Sequence, residues 1–407
     1  MTLSRRDLLK ATAAGGLVSL IPGVNVAFGA DTAASTPGGQ NVIVFLFLRF
    51  GMDGLSMIAP ADDGAYRDRR PTIALRSAGL GAANFLGQYQ GTPFFMHPRA
   101  GLLYEMFKKG SLAAIHASGV PTENRSHFET QEMVTRGLAD NEVVDRRGWL
   151  ARHLLSQSDT HSDFEGVSDG QGVTQALEGM GTSLTFSGLA SLGYSFVGRY
   201  GAAMAAMHAG DGELAQSMQK TMRIADSVRE KAASVPYETP KGNYTYGGLS
   251  NTLRPLAQVL KLDLGVRVAT VDFGGWDHHE YLSNAFFNQA AELSDSVGAF
   301  VDDLGALSDR VTIVMMTEFG RRVRENTNNG TDHGAGAVML VQGAGVNGGK
   351  FYGDWPGLTE TVLDQGDLPV VTDYRRVLGE LLVKRHAQTK LEQVFPTTPY
   401  RPLGIFT

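Results

Sequence analysis

Short runs of apolar residues recur along the chain and predict buried β-strands. Each run is continuous rather than alternating, which is the pattern of a strand covered on both faces, as in a parallel sheet. The runs are Val42–Leu48, Leu112–Ile115, Val266–Val271, Val311–Met316 and Val338–Val341. Segments with helical spacing of apolar residues lie among these runs; they are Arg99–Lys109, His127–Arg136, Asp211–Ala233, Ser250–Leu260, Asn284–Leu307 and Tyr374–Arg385. This alternation predicts an α/β fold with a doubly wound, mostly parallel sheet flanked by helices.

The first thirty residues are typical of an export signal rather than of the fold. An Arg5-Arg6 pair precedes a mild apolar stretch over residues 11–21, which is too short and too rich in Gly and Ala to span a bilayer. This arrangement resembles a twin-arginine signal, and a basic tail without any address is the alternative. We therefore expect residues 1–30 to be removed, with the twin-arginine translocase as a partner during export. The product, without a transmembrane anchor, is expected to be periplasmic or secreted.

Composition excludes several functional classes. The 407 residues include no cysteine, which rules out disulfides, thiolate metal sites and a cysteine nucleophile. The 36 Lys and Arg face 42 Asp and Glu, and this net charge of −6 gives no support to a nucleic-acid partner. We interpret residues 40–407 as one α/β domain, with a Gly-, Ser- and Met-rich insertion or cap at about residues 155–250.

Acidic residues with glycine close by follow three of the predicted strands. They are Asp53, Asp272, Asp277 and Glu318. Open α/β sheets bind ligands outside the carboxyl ends of their strands, and carboxylates gathered there repel one another unless a cation lies between them. Asp332-His333 precedes the last strand, and Asp277-x-His279 places two side chains on one side of an extended segment. We therefore predict a metal or anion centre with one or two ions. The Asp and His ligands favour Zn²⁺ or Mn²⁺, with Mg²⁺ or Ca²⁺ as alternatives.

Ser126 opens a predicted helix and is the candidate nucleophile. Glu129 follows three positions later, and this capping-box pattern explains Ser126 without any chemistry. In the functional reading, the hydroxyl lies at a positive helix N-terminus beside a metal, and both favour its ionised form. Arg49, Arg321 and His127 are candidate substrate-binding residues. A guanidinium group matches a tetrahedral oxyanion, although an ordinary ion pair is the alternative for each arginine.

Taken together, these motifs resemble the bacterial domain-of-unknown-function 1501 family. The clearest are LRFGMDGLSMIAP (48–60), RSHFETQE (125–132), DFGGWDHHE (272–280), TEFGRRVREN (317–326) and GTDHG (330–334). The resemblance runs in order over most of residues 40–397. That family is similar to the alkaline phosphatase and sulfatase superfamily. The resemblance therefore implies an alkaline-phosphatase-like fold, one or two metals at the strand ends, and a nucleophile at a helix N-terminus.

Carried over by position, the resemblance assigns roles to individual residues. Metal-binding roles fall on Asp53, Asp277, His279, Glu318 and His333, with Asp272 and Asp332 as substitutes. Ser126 matches the nucleophile. The expected function is an exported metal-dependent hydrolase of small or polymer-borne phosphate or sulfate esters. Phe319 stands where the superfamily has an imidazole, which favours the alternative of a non-catalytic exported binding or assembly protein. A polysaccharide-modifying transferase is a third hypothesis.

Overall fold

Within the residues that the structure describes, eleven strands form one central sheet and three form a smaller antiparallel sheet. The structure is a computed structural model, and it describes residues 40–142, 144–158 and 247–407. It also describes the shorter stretches 18–21, 24–27, 162, 164–169, 174–180, 183–186, 209–210, 212–235 and 241–245.

The strands and helices of these residues follow the chain in alternating groups. The strands are β1 (Val18–Ile21), β2 (Val24–Ala27), β3 (Val42–Leu48), β4 (Ile58–Ala59), β5 (Asn84–Tyr89), β6 (Thr92–Met96), β7 (Leu112–Gly119), β8 (Gly166–Asp169), β9 (Ser183–Phe186), β10 (Val268–Phe273), β11 (Val311–Met316), β12 (Ala337–Gly343), β13 (Phe351–Tyr352) and β14 (Thr372–Asp373). The helices are α1 (Gly54–Met57), α2 (Gly64–Arg69), α3 (Gly101–Lys108), α4 (His127–Arg136), α5 (Trp149–Gln157), α6 (Glu213–Ser234), α7 (Gly248–Lys261), α8 (Leu282–Leu304), α9 (Tyr374–His386) and α10 (Leu391–Val394). Short 3₁₀ turns cover Gln175–Leu177 and Gly305–Arg310.

The central sheet is mostly parallel, which confirms the predicted fold class. Its strands lie in the order β1-β2-β9-β8-β10-β3-β11-β12-β7-β13, and β14 pairs with β7. Strands β9, β8, β10, β3 and β11 run parallel to one another. Strand β3 is the centre of this group, and all seven of its residues are buried. Its side chains alternate between two apolar clusters, so both faces of the sheet are covered by helices and the run is continuously apolar.

Two strands depart from the parallel arrangement among the described residues. Strand β2 pairs antiparallel with both β1 and β9. Strand β12 pairs antiparallel with both of its neighbours, β11 and β7. The connection from β11 to β12 is a long loop with no helix in it. A parallel β12 would need a crossover connection, which usually contains a helix. Because β12 runs the opposite way, the residues before it lie at the same edge as the residues after β3, β10, β11 and β7. That shared edge carries the candidate site.

Two predicted segments of the chain fall partly outside the described residues. The Arg5-Arg6 pair lies outside them, and β1 and β2, from the predicted signal, extend the sheet next to β9. The signal itself stays a prediction. Of the predicted insertion at 155–250, the described part supplies β8 and β9 to the central sheet, together with α6. No helix among the described residues has both the length and the apolar character needed to span a membrane.

Candidate metal centre

Four side chains converge at the carboxyl edge of the sheet. Asp277 Oδ1 lies 3.0 Å from His279 Nε2, and 3.3 Å from the Nε2 atoms of both His127 and His333. The Nε2 atoms of His279 and His333 are 3.0 Å apart. In a tetrahedral zinc site with bonds of about 2.0–2.1 Å, neighbouring ligand atoms lie about 3.3 Å apart. One ligand atom each from His127, Asp277 and His333 all lie within 4.8 Å of one another, and this spacing fits one small cation.

The hydrogen bond made by Nδ1 of each imidazole determines which ring nitrogen carries a lone pair. In each ring, Nδ1 faces an oxygen that only accepts hydrogen bonds. The pairs are His127 with Glu318 Oε1 at 2.7 Å, His333 with the Arg125 carbonyl at 2.8 Å, and His279 with Asp332 Oδ1 at 3.1 Å. Each Nδ1 must therefore carry the proton, and each Nε2 of a neutral ring presents a lone pair to the centre.

Inward lone pairs around a carboxylate are unfavourable unless a cation lies among them. His127 Nε2 is buried and makes no hydrogen bond within the described part of the chain. Burial, aided by the charge of Arg321, lowers the pKa of His333, so its ring is neutral near pH 7. Three imidazole nitrogens and one carboxylate form a donor set that Zn²⁺ accepts, and the oxygens on each Nδ1 are the usual outer partners of metal-binding histidines. The residues present therefore fit a divalent metal.

Glu318 supports this set from behind rather than belonging to it. Its buried carboxylate accepts hydrogen bonds from His127, from Gln131 Nε2 at 2.9 Å and from the Phe50 amide at 2.9 Å. Burial alone would raise the pKa of Glu318, but the hydrogen bonds from His127 and Gln131 lower it. Glu318 was predicted as a metal ligand. The structure places it behind His127, whose Nδ1 it faces, and it places His127, predicted to bind substrate, beside Asp277 and His333.

Replacing Glu318 with glutamine should weaken metal binding without removing a ligand. Glutamine keeps the size of the side chain, but it removes the negative charge that orients and polarises His127. We expect the affinity for Zn²⁺ to fall about 10- to 100-fold, measured by competition with a chromogenic chelator. Glu392→Gln, at an exposed position, is the matched control. Unchanged affinity in Glu318→Gln would contradict the orienting role.

Arg321 lies buried beneath the centre and holds Asp277. Its guanidinium donates to Asp277 Oδ1 at 2.6 Å and to the carbonyls of Gly51, Phe50 and Thr331 at 2.6–3.0 Å. Partial burial would raise the pKa of Asp277, but this bond and the Arg321 charge hold that pKa at about 2. With its donors used in this way, Arg321, which the sequence predicted to bind a substrate anion, holds Asp277 in place.

Asp53 is paired with an arginine and not with the histidines. Its carboxylate receives two hydrogen bonds from Arg70, at 2.5 and 3.1 Å, and one from the Ser56 hydroxyl at 2.8 Å. It also accepts the amide of Leu55 and so caps helix α1. Both members of the ion pair are almost fully buried. The carboxylate predicted to bridge two metals is therefore neutralised by the chain itself.

Asp272 is likewise paired with an arginine. Arg49 Nε lies 2.7 Å from Asp272 Oδ2, and Arg49 Nη1 donates to Gln131 at 2.8 Å. Asp169, at the end of β8, accepts the Asp272 amide at 3.3 Å. Burial and the neighbouring Asp272 carboxylate raise the pKa of Asp169 to about 7. Arg49, predicted to bind substrate, is thus part of a chain of contacts that reaches Glu318 through Gln131.

Ser126 is the N-cap of α4 and lies between two residues that serve the centre. The Arg125 carbonyl holds His333, and His127 Nε2 lies 3.3 Å from Asp277 Oδ1. The capping box suggested by the sequence does not form, because the Ser126 side chain makes no capping bond and the Glu129 carboxylate binds Asn124 instead. The Ser126 hydroxyl has no hydrogen-bond partner among the described residues, and its half-buried position leaves it open to solvent.

Close backbone approach explains why glycine flanks the ligands. A Cβ on Gly330 would lie 2.1 Å from the His279 carbonyl oxygen, and one on Gly51, whose φ is +68°, would lie 3.0 Å from Arg321 Nε. Asn326 Nδ2 also donates to the His279 carbonyl at 2.9 Å. Only glycine leaves room for these contacts, which set the position of the His279 loop.

Four supporting residues escaped sequence analysis: Arg70, Arg125, Gln131 and Asp169. The Arg70 side chain hydrogen-bonds to Asp53, 17 positions earlier. The Gln131 side chain hydrogen-bonds to Glu318, far away along the chain. Arg125 acts on His333 through its carbonyl, which any residue could supply. No local pattern marks such partners. By contrast, Gln131 lies one helical turn after His127, and this spacing was the one available signal.

The motif resemblance finds support in the comparison with family models. A family described as "Protein of unknown function (DUF1501)" matches residues 91–369, more than half of the chain. The chain belongs to the DUF1501 family. The match includes Ser126 and all four residues of the candidate metal centre. No curated protein matches the chain.

Several solved structures are similar to this DUF1501 chain at low sequence identity. The C-terminal periplasmic domain of EcEptC from Escherichia coli, in complex with Zn, is 10% identical with a TM-score of 0.35, and 77% of each chain is covered. Ps i-CgsB is 11% identical with a TM-score of 0.39, covering 88% of this chain and 75% of the other. PsFucS1 sulfatase from Pseudoalteromonas sp. is 11% identical with a TM-score of 0.33, covering 77% of this chain and 64% of the other.

Proposed function

We propose that this protein is an exported metal-dependent hydrolase of phosphate or sulfate esters. The observation that carries the proposal is the convergence of three imidazole Nε2 atoms on Asp277 Oδ1, with an accepting oxygen behind each ring. His127, Asp277, His279 and His333 would hold the metal. A bound divalent metal would polarise an ester oxygen and favour the ionised form of a nearby hydroxyl. The imidazole and carboxylate donors favour zinc, and the mutual spacing of His127, Asp277 and His333 suits a single ion.

The chain's own residues supply the rest of the chemistry. Ser126 is the proposed nucleophile, since its hydroxyl is unpartnered and it lies directly before a ligand, at the positive end of the ten-residue helix α4. Glu318, Asp332 and the Arg125 carbonyl keep the ligand rings in place before a substrate arrives. Such preorganisation lowers the cost of reaching the transition state.

Removing the Ser126 hydroxyl tests the proposal directly. We expect the zinc-loaded chain to hydrolyse at least one chromogenic phosphate monoester, phosphate diester or sulfate. Ser126→Ala should retain its zinc and lose turnover by about 1,000-fold or more, as expected when a nucleophile is removed. Ser234→Ala, at an exposed position on α6, is the control. Equal turnover in Ser126→Ala and the parent chain would exclude Ser126 as the nucleophile.

The second candidate is a non-catalytic exported protein that binds or assembles with a partner. It is favoured by one observation: two carboxylates that a second metal would need, Asp53 and Asp272, are paired with Arg70 and Arg49. A single tightly held metal could then be structural. Stoichiometric zinc without turnover on the whole ester panel would support this candidate over the hydrolase.

A further inference from the structure

A cleft of about 410 Å³ lies beside the start of helix α8 and is built from residues other than the metal ligands. Its volume falls in the range of about 300–1,000 Å³ that small-molecule sites occupy. Apolar side chains form most of its wall: Ile73, Leu75, Leu80, Leu282, Phe286 and Phe287. Leu80 is 99% exposed and Phe287 is 43% exposed, so a large apolar surface faces solvent here.

A buried histidine offers a single hydrogen-bond donor to this cleft. His97 lines the cleft and is only 6% exposed. Its Nδ1 accepts the Arg99 amide at 3.2 Å, so the proton of the neutral ring is on Nε2. Burial, with the charge of Arg99, lowers the pKa of His97 to about 4, and the ring is neutral at physiological pH. No described residue accepts a hydrogen bond from Nε2, which leaves this donor for a ligand.

The charged residues of the cleft are all of one sign. Arg76 and Arg99 line it and are exposed, whereas none of the described lining residues is acidic. The Arg99 guanidinium lies 4.6 Å from the centre of the Phe287 ring, and this contact holds the positive charge beside the apolar wall. An apolar wall, an N–H donor and two arginines together complement a ligand with an apolar body and one anionic end.

We propose that this cleft binds a single-chain fatty acid. The alkyl chain would cover the apolar wall at Phe286 and Phe287. The carboxylate would lie between the two arginines and accept the Nε2–H of His97. The proposal is independent of the metal centre, because none of these residues is a ligand or contacts one through a bond described above.

Titration with dodecanoate below its critical micelle concentration tests the site. We expect saturable binding of one molecule per chain, measured by isothermal calorimetry on the purified chain. Dodecanol lacks the charge and acetate lacks the apolar body, so each should bind at least about fivefold more weakly. Equal binding of dodecanol would overturn the predicted anionic end, and the absence of saturable dodecanoate binding would overturn the proposal.

Substitutions locate the binding to this cleft. Arg99→Gln and Phe287→Ala alter exposed side chains, and each should weaken dodecanoate binding about fivefold. His97→Gln should do the same. Arg401→Gln and Tyr400→Ala, at exposed positions outside the cleft, should leave binding unchanged. Parent-like affinity in all three cleft variants would place the ligand elsewhere. A concentration-dependent dimer that Phe287→Ala dissociates would show instead that a second copy of the chain covers this face.

Discussion

Asp277→Asn should leave the chain folded and almost free of bound metal. Asp277 Oδ1 lies within 3.3 Å of all three Nε2 atoms, so this one oxygen joins the set. Asparagine has the same size but no charge. Its neutral amide oxygen binds a divalent cation much more weakly than the Asp277 carboxylate would. We expect zinc affinity to fall by more than about 100-fold, beyond the loss typical of an outer partner. Ester turnover should fall with metal content.

Elemental analysis after dialysis measures this effect, with Asp309→Asn at an exposed site as the control. The substitution also removes the partner of the buried Arg321 guanidinium, so unfolding must be followed in the same samples. A folded Asp277→Asn chain that keeps one zinc at parent affinity would show that the convergence of histidines is not a metal centre. A folded chain that loses zinc but keeps full turnover would separate the metal from the reaction.

The buried central strands and the helices around them could be predicted from the sequence because burial on both faces leaves a local pattern. The small sheet of β4, β5 and β6 was not predicted. Helix α4 begins and ends at the predicted residues, and strand β11 has the predicted bounds. The direction of β12 could not be predicted in the same way. Its apolar run reports only that it is buried, whereas its direction follows from the connection to β11, which contains no crossover helix.

The residues that converge at the candidate centre were more predictable than the residues that support them. Asp277, His279 and His333 lie in loops at the edge of the sheet with glycine close by in the sequence, and their chemistry is visible there. The roles of Asp53 and Asp272 depend on arginines that reach them from other parts of the fold. Arg70 is 17 positions from Asp53, and Arg49 follows strand β3 whereas Asp272 lies within strand β10. The local sequence around an acid with glycine nearby is the same whether a metal or a guanidinium neutralises the carboxylate.

Arg70→Met should destabilise the protein by about 3–5 kcal/mol, because it leaves the Asp53 carboxylate buried and unpaired. Arg70 is fully buried, and besides its two bonds to Asp53 it donates to the carbonyls of Val323 and Arg322 at 2.8 and 2.9 Å. The double variant Arg70→Met/Asp53→Asn removes the stranded charge and keeps an N-cap for α1. It should therefore be more stable than Arg70→Met alone. Arg401→Met, at an exposed site, should change stability by less than about 0.5 kcal/mol.

Denaturant unfolding measures these differences in stability. Metal analysis of the same variants tests whether Arg70 occupies the place of a second cation. If Arg70 takes the place of a second cation, the parent chain should bind one zinc, and Arg70→Met is the variant in which Asp53 is free to recruit another. A gain of a second divalent ion in Arg70→Met, absent from Arg70→Met/Asp53→Asn, would show that the guanidinium stands in for a metal. A destabilisation below about 1 kcal/mol would instead mean that solvent reaches Asp53, contrary to its burial here.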